Sequence, residues 1–497
     1  MYHPDFETFA RSAERGNLIP VYREILADTE TPVSTLMKLQ SQPYAFLLES
    51  VEGGEKWGRY TFIGANPRTV FRIKGDKVHI QKNGVTEVFD HQGDPLKYLK
   101  RLLGPCRPVP LEGLPRFYGG AVGFFGYDMV RFFERLPAVA QDDLAVEEAV
   151  FLMTDTLIVF DNVRHTIKVV TCIFTDNAES LKTAYEEGIG KIEKMIEMLR
   201  ESADKRRIPR RSFRNVPVES NMSSEDFKLR VRRAKEYIRA GDVIQIVLSQ
   251  RFRKENGSDP VDLYRALRHV NPSPYLFFLK LEDFVLIGSS PEVMVRLEEG
   301  TVELRPIAGT RRRGKTEQED RRLSDELLQD PKERAEHVML VDLGRNDLGR
   351  IARTGSVQVT QLMTVERYSH VMHLVSNIQA QLSPGRDAFD VLRATFPAGT
   401  LTGAPKIRAM QIIDELEPLR RGPYGGAVGY FSYSGNMDFC ITIRTIVIRD
   451  GSMFIQAGAG IVADSDPDSE YQETLNKAEG MMKAVRLADS NFEGMEI

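Results

Sequence analysis

Two segments of the chain share one arrangement of acids. Asp330-Pro331 is followed by Glu333 and Glu336, and Asp466-Pro467 by Glu470 and Glu473. Asp before Pro reads as an N-cap with Pro at the first helical position, so each segment predicts the opening of a helix. Residues three apart share a helix face, so each ExxE string sets two carboxylates side by side. Taken singly, each has a plain explanation. Acids in a first turn offset the helix dipole, Glu333 sits where a capping box needs it, and Lys477 stands one turn after Glu473 as an ion-pair partner. Taken together, four carboxylates that met would repel strongly unless a cation stood between them. An all-oxygen donor set, with no cysteine or clustered histidine, points to Mg²⁺.

Four further polar residues interrupt apolar or Gly-rich stretches. They are Gln245 in DVIQIVLSQRF, Glu292 after GSSP at a strand edge, His373 in HVMHLVSNIQ, and Arg444 in FCITIRTIVI. A single His in an apolar run is ordinarily a satisfied core residue. An Arg buried in a strand needs an anion, and a ligand serves as well as a protein carboxylate. Two Gly-rich strings fail as nucleotide motifs. Ala457–Ala463 contains GxGxxA, but Asp464–Pro467 intervenes where a dinucleotide site needs a helix. Gly399–Lys406 has the wrong spacing for a P-loop. The glycines at 458 and 460 still offer backbone N–H groups to a carboxylate.

The elements that must position these residues belong to a chain of 497 residues with a net charge of −4. At about 150 residues per domain, that length allows three domains or one large intertwined unit. Its 42% hydrophobic and 28% charged residues are those of a globular protein with a sizeable core. The near-neutral balance argues against a general nucleic-acid binder. Cys106, Cys172 and Cys440 form no paired motif, and none lies in a glutaminase-type elbow. The N-terminus lacks the apolar core of a signal peptide and no apolar run is long enough for a membrane span, so a cytoplasmic protein is expected. Residues 1–200 read as a β-rich region closing in a helix over 177–200, 201–218 as a linker with basic residues from Lys205 to Arg214, and 219–497 as a mixed α/β region. Tyr118–Tyr127 and Tyr424–Tyr433 match at all but two positions, which predicts two related sheet corners that pack together.

The strings at 305–314, 330–350, 396–410, 422–430, 441–445 and 457–478, with LLES at 47–50 and YGGAVGFFGYD from Tyr118, together resemble the large-subunit (component I) family of anthranilate synthase, among the chorismate-utilising enzymes. The resemblance spans nearly the whole chain. It implies an α+β (mixed α/β) fold with two large, mostly antiparallel sheets packed together and flanked by helices, the two regions intertwined in one unit. It implies Mg²⁺-dependent conversion of chorismate and ammonia to anthranilate and pyruvate. The ammonia would come from glutamine through a partner amidotransferase subunit, in a heterotetramer of two large and two small subunits. By the same resemblance Glu336 and Glu473 hold the metal, helped by Glu333 and Glu470. Glu292 is the acid for the leaving C4 hydroxyl, and His373 the acid/base group for pyruvate elimination. Tyr424 and Arg444 hold the enolpyruvyl carboxylate. Gly309, Thr310, Thr400, Gly458, Ala459, Gly460 and Lys477 form the cradle for the ring carboxylate and neighbouring oxygens. Feedback inhibition by tryptophan is implied through Glu49, Ser50, Asn271, Pro272, Ser273, Pro274 and Tyr275. Leu276 stands where Met is frequent, a volume-conserving exchange. Isochorismate-forming relatives carry Lys where this chain has Gln245, and aminodeoxychorismate synthases carry a nucleophilic Lys where it has Ala308. The remaining alternatives are an aminodeoxychorismate synthase and a catalytically degenerate tryptophan-binding protein.

Overall fold

Short apolar strands and a few amphipathic helices arrange themselves around two sheets. The computed structural model describes residues 1–50, 58–104, 106–176, 178–201, 217–368 and 371–493, so the basic stretch from Lys205 to Arg214 lies outside the described residues. Among the described residues, one sheet has 13 strands and the other 12, and every pairing within them is antiparallel. In each sheet the strands from before residue 200 form one contiguous block and those from residue 219 onward form the other, and the two blocks meet at a single seam. In the first sheet Tyr44–Glu49 pairs with Tyr275–Leu281. In the second, Gly120–Phe125 pairs with Ala427–Ser432.

That second pairing explains the internal echo. The two copies lie side by side, and Gly123 faces its own counterpart Gly429, so a local two-fold relation runs through this pair. A side chain at either glycine would force the neighbouring backbone to shift. A β-carbon on Gly123 would stand 1.9 Å from the Val150 carbonyl oxygen, and one on Gly429 2.0 Å from that of Asp438. Around the echo, Phe125, Phe151, Phe431 and Phe439 cluster on the face of the second sheet covered by Phe389 and Phe396, with ring centroids 4.6 Å apart for Phe125–Phe151 and 4.9 Å for Phe431–Phe439. Helices close the other face of the first sheet. Leu181–Arg200 packs on Thr166–Phe174, and Pro467–Asp489 on Ser452–Ile461 and on the helix Pro260–Val270. Among the described residues, no helix is long and apolar enough to cross a membrane.

The chain passes from one sheet to the other along a two-stranded ribbon. Phe284–Ser290 lies in the first sheet and continues as Val293–Glu298 in the second. Beside it, Met437–Ile441 in the second sheet continues as Thr445–Arg449 in the first. Glu292 and Arg444 stand at the two crossing points. The Ser289 N–H donates to the Arg444 carbonyl at 3.1 Å and the Ile441 N–H to that of Glu292 at 3.0 Å, so the ribbon stays zipped through the crossing. Arg444 is therefore half-buried in a connection and not, as its apolar flanks suggest, buried within a strand. Its φ of +50° is the left-handed conformation that a β-carbon disfavours, and the zipped neighbours hold it there.

Adding one methyl at the echo's centre tests the close approach. Gly429→Ala is expected to cost about 1–3 kcal/mol, the usual range for overpacking. A melting temperature equal to that of the parent protein would contradict it.

Candidate active site

Both helices that carry the paired acids form as their caps demand. Asp330 accepts from the backbone of Lys332 and Glu333 at the start of Pro331–Gly349, and Asp466 from Ser469 at the start of Pro467–Asp489. Glu336 is mostly buried, and burial is the main cause of its raised pKa. Gln245 Nε2 donates to it at 3.1 Å, while Glu333 and Glu473 add repulsion. Glu470 is also raised by burial first, with Glu473 adding to it. The carboxylates thus sense one another across two helices, and hard oxygen donors of this kind suit a hard divalent cation. They are not gathered into a shell. Glu473 pairs with Lys477 at 2.6 Å and Glu333 with Arg311 at 3.1 Å. Among the described residues, no group of three or more acids, histidines or cysteines stands together in metal-holding geometry.

The glycine string lies inside a strand and not, as its motif suggests, in a turn after one. Ser452–Ile461 pairs with Gln245–Glu255 along its whole length, but its other partner, Thr445–Arg449, is paired only as far as Ile455. Beyond that point one edge is open. Lys477 Nζ reaches the Gly458 carbonyl at 3.0 Å from this side. Because a strand residue turns its N–H and C=O the same way, Gly458 and Gly460 present their N–H groups to the open edge. At Gly458 a side chain would press on the Leu248 carbonyl, and at Gly460 it would displace the Gln245 amide. A β-carbon on Gly458 would meet the Tyr424 hydroxyl at 2.7 Å, and one on Gly460 would meet Gln245 Nε2 at 2.6 Å.

His373 lies on the strand Val371–Gln381, opposite Thr310. The partner strand Ile307–Arg312 shifts register between Ala308 and Thr310, and Gly309 takes a φ of +64° at this bulge. The bulge turns the Gly309 carbonyl onto the imidazole, 2.9 Å from Nδ1, with Thr310 Oγ1 at 3.1 Å. The proton therefore sits on Nδ1, donated to the carbonyl, and Nε2 is the basic nitrogen. Burial pulls the His373 pKa down, the Gly309 carbonyl opposes it, and Arg444 adds to the fall, so the ring is neutral near pH 7. Glu292 responds to burial in the opposite sense. Its carboxyl is pushed up to about 8, against the opposing influence of Thr400, the Ile307 N–H and Arg444. Thr400 Oγ1 is buried near this carboxyl without a hydrogen bond of regular geometry.

A cavity of about 440 Å³ gathers Thr310, His373, Arg444, Glu473 and Lys477, with Tyr368 alongside. Asn271, Pro272 and Ser273, expected at an inhibitor site, also line this cavity. Asn271 Oδ1 accepts from Arg444 Nη1 at 3.5 Å. Glu49, Ser50 and Tyr275 line a separate cavity of about 70 Å³, and Pro274 borders both. The Glu49 carboxylate is already claimed by the Tyr264 hydroxyl and by a two-pronged contact from Arg268, at 2.7–2.9 Å. Glu292 and Thr400 line a third space of about 40 Å³, with Asp347 and Arg305. Two contacts were not foreseen from the sequence. Tyr368 stacks edge-on to His373 at 5.6 Å, and Arg311 ties Glu333 to Asp330. The run Arg311–Arg313 beside an acidic helix was the available signal for the second.

A family model described as chorismate binding enzyme matches residues 43–483. Anthranilate synthase component 1 of Aquifex aeolicus is 49% identical over 98% of this chain and 98% of its own. That of Pseudomonas putida is 50% identical over 97% and 98%. Among solved structures, anthranilate synthase component I from Streptococcus pneumoniae superposes with a TM-score of 0.76 at 38% identity, covering 92% of this chain and 98% of that one. The menaquinone-specific isochorismate synthase of Escherichia coli, at 20% identity and a TM-score of 0.68, shares the fold.

Glu292 makes the site costly to the fold. Its folded pKa of about 8 exceeds the ordinary 4.5, so between those values the folded state binds more protons and stability falls as pH rises. Glu292→Gln removes that penalty. The variant is expected to melt higher than the parent, by a margin on the order of a few kcal/mol that grows from pH 5 to pH 8. A margin independent of pH would contradict the assignment.

Proposed function

Because the chain belongs to the chorismate-binding enzyme family, we propose that it is the large subunit of an anthranilate synthase, converting chorismate and ammonia to anthranilate and pyruvate in tryptophan biosynthesis. One observation carries this reading. A protonated buried carboxyl, Glu292, and a neutral imidazole, His373, both lie within electrostatic reach of the Arg444 guanidinium, in a chain about half identical to anthranilate synthase component 1 over nearly its full length.

The chemistry follows from the protonation states. Glu292 carries its proton at neutral pH and gives it to the C4 oxygen of chorismate, which leaves as water while ammonia bonds to C2. His373 Nε2 then takes the C2 proton, the bond from the ring to the enolpyruvyl oxygen breaks, and protonation of the released methylene carbon completes pyruvate. Arg444 and Tyr424 hold the enolpyruvyl carboxylate, a task suited to a planar guanidinium. The Lys477 ammonium and the open-edge N–H groups of Gly458 and Gly460 hold the ring carboxylate, with Thr310 and Thr400 at neighbouring oxygens. When bound by Glu336 and Glu473, with Glu333 and Glu470, Mg²⁺ supplies a counter-charge to the ring carboxylate. Gln245 is a neutral amide engaged with Glu336 and cannot serve as a base for water, which favours ammonia as the nucleophile. Ala308 offers no group for a covalent adduct.

The same reading includes a cytoplasmic location, a glutamine amidotransferase partner in a heterotetramer of two large and two small subunits, and feedback inhibition by tryptophan at the cavity of Ser50 and Tyr275. In that cavity Glu49 braces the wall through Arg268 and Tyr264.

The purified chain with chorismate, ammonium and Mg²⁺ is expected to produce anthranilate fluorescence that chelation abolishes. Absence of product would refute the reading, and an aminodeoxychorismate product would redirect it. Turnover is expected to fall above about pH 8 as Glu292 loses its proton. Glu292→Gln is expected to lower kcat by roughly 10²–10⁴, the range for general acid–base catalysis. A Glu292→Gln variant with the parent pH profile and kcat would exclude that residue as the acid.

A further inference from the structure

Arg421 and Glu417 are nearly sealed from solvent, with side-chain exposures of 1% and 4%, and neither belongs to the residues assigned above. They form a two-pronged pair, Nε to Oε2 at 2.8 Å and Nη2 to Oε1 at 2.7 Å. The remaining contacts of both groups run to site-bearing segments. Arg421 Nη1 donates to the Leu401 carbonyl at 2.6 Å, next to Thr400, and Nη2 to the Val247 carbonyl at 2.8 Å, two residues from Gln245. Glu417 Oε1 accepts from the Ser249 N–H at 2.8 Å and from its hydroxyl at 2.9 Å. Ser249 pairs in register with Gly458. The guanidinium also faces the rings of Tyr127 and Tyr424, at 4.7 and 5.6 Å.

The place of this pair in the sheet is unusual. On the side of Gln245–Glu255 away from the glycine strand, Gly403–Ala404 pairs at Gln245 and Ile246, and Glu219–Ser220 at Phe252 and Arg253. Between them the ion pair satisfies the strand's backbone where a neighbouring strand would otherwise do so. A buried ion pair is weak evidence for stability, since apolar packing commonly serves as well. What an apolar pair could not do is join three chain segments through one rigid, directional fork.

We infer that the Arg421–Glu417 pair is the positioning element of the chorismate cradle, fixing the Thr400 turn, the Gln245 strand and the ring of Tyr424 relative to one another. The inference rests on the reading of the site as an anthranilate synthase. Arg421 touches no substrate and acts through the residues it holds, so loss of the fork should spoil substrate placement before it spoils the fold.

The test uses the full chain with ammonium, comparing Arg421→Lys, which keeps the charge and loses the fork, with Glu417→Gln, which keeps the shape and loses the charge. In variants whose circular dichroism matches the parent, the chorismate KM is expected to rise about tenfold or more while the ammonium KM is unchanged. A purely structural role would lower the active fraction, and so kcat, and leave both KM values alone. Parent-like chorismate KM in both variants overturns the inference. Should both unfold, Ser249→Ala removes the hydroxyl's bond to Glu417 and the one it accepts from Gln456, and keeps the charges matched. A chorismate KM raised about threefold then supports the inference, and a parent value overturns it. Failure of the unmodified chain to make anthranilate would instead sink the reading on which the inference rests.

Discussion

Two sheets that share a ribbon cannot stay parallel to each other along it, and the site depends on the divergence this creates. Where Phe284–Glu298 and Met437–Arg449 pass from one sheet to the other, the strands remain bonded to each other while their outer neighbours part. Residues at the crossing leave the strand alternation that would bury or expose them by turns. Glu292 and Arg444 occupy these positions, and the left-handed backbone of Arg444 is held by the bonds on either side. The same parting of strands leaves the far half of Ser452–Ile461 with an open edge, where Gly458 and Gly460 face outward. One topological event thus supplies an acid, a guanidinium and a row of backbone donors.

Burial then acts on each titratable group according to its charge. The neutral form is favoured throughout, so the carboxyl of Glu292 keeps its proton and the imidazole of His373 loses one. A general acid and a general base can coexist at neutral pH for this reason alone. Glu336 and Glu470 move the same way, with repulsion from their neighbours added. Crowded carboxylates oppose folding, and Lys477 and Arg311 offset this by pairing with the neighbouring Glu473 and Glu333.

The connection Asn271–Tyr275 separates the large cavity from the small one, and Pro274 belongs to both. Its residues are divided between two spaces because the strand Tyr275–Leu281 begins there, beside Tyr44–Glu49 from the opposite end of the chain. A five-residue string with one sequence signature therefore touches two sites of different composition. Arg444 meets Asn271 on one side, and Tyr275 meets Asp438 and Arg296 on the other.

Much of this was legible in the residues themselves. Asp-Pro caps predicted both acid-bearing helices, alternation predicted the strands of the first region, and the repeated Tyr-Gly-Gly-Ala-Val-Gly string predicted two corners in contact. These signals are local or self-referential, and short-range sterics and capping determine them. The α+β class and the family followed from strings long enough to carry their own context. What the sequence could not settle was any relation set by packing between distant segments. Arg444 looked like a strand residue because its neighbours are apolar, and only the crossing of the sheets makes it a corner. The glycines at 458 and 460 looked like a loop, and only the loss of a neighbouring strand gives them an open edge. Arg421 was not singled out from the sequence, and only the gap beside Gln245–Glu255 makes it a clasp. Residue type and spacing determined which groups were present. Which of them share a cavity, and which protons they hold there, was decided by burial, a property that no stretch of sequence possesses until the sheets close over it.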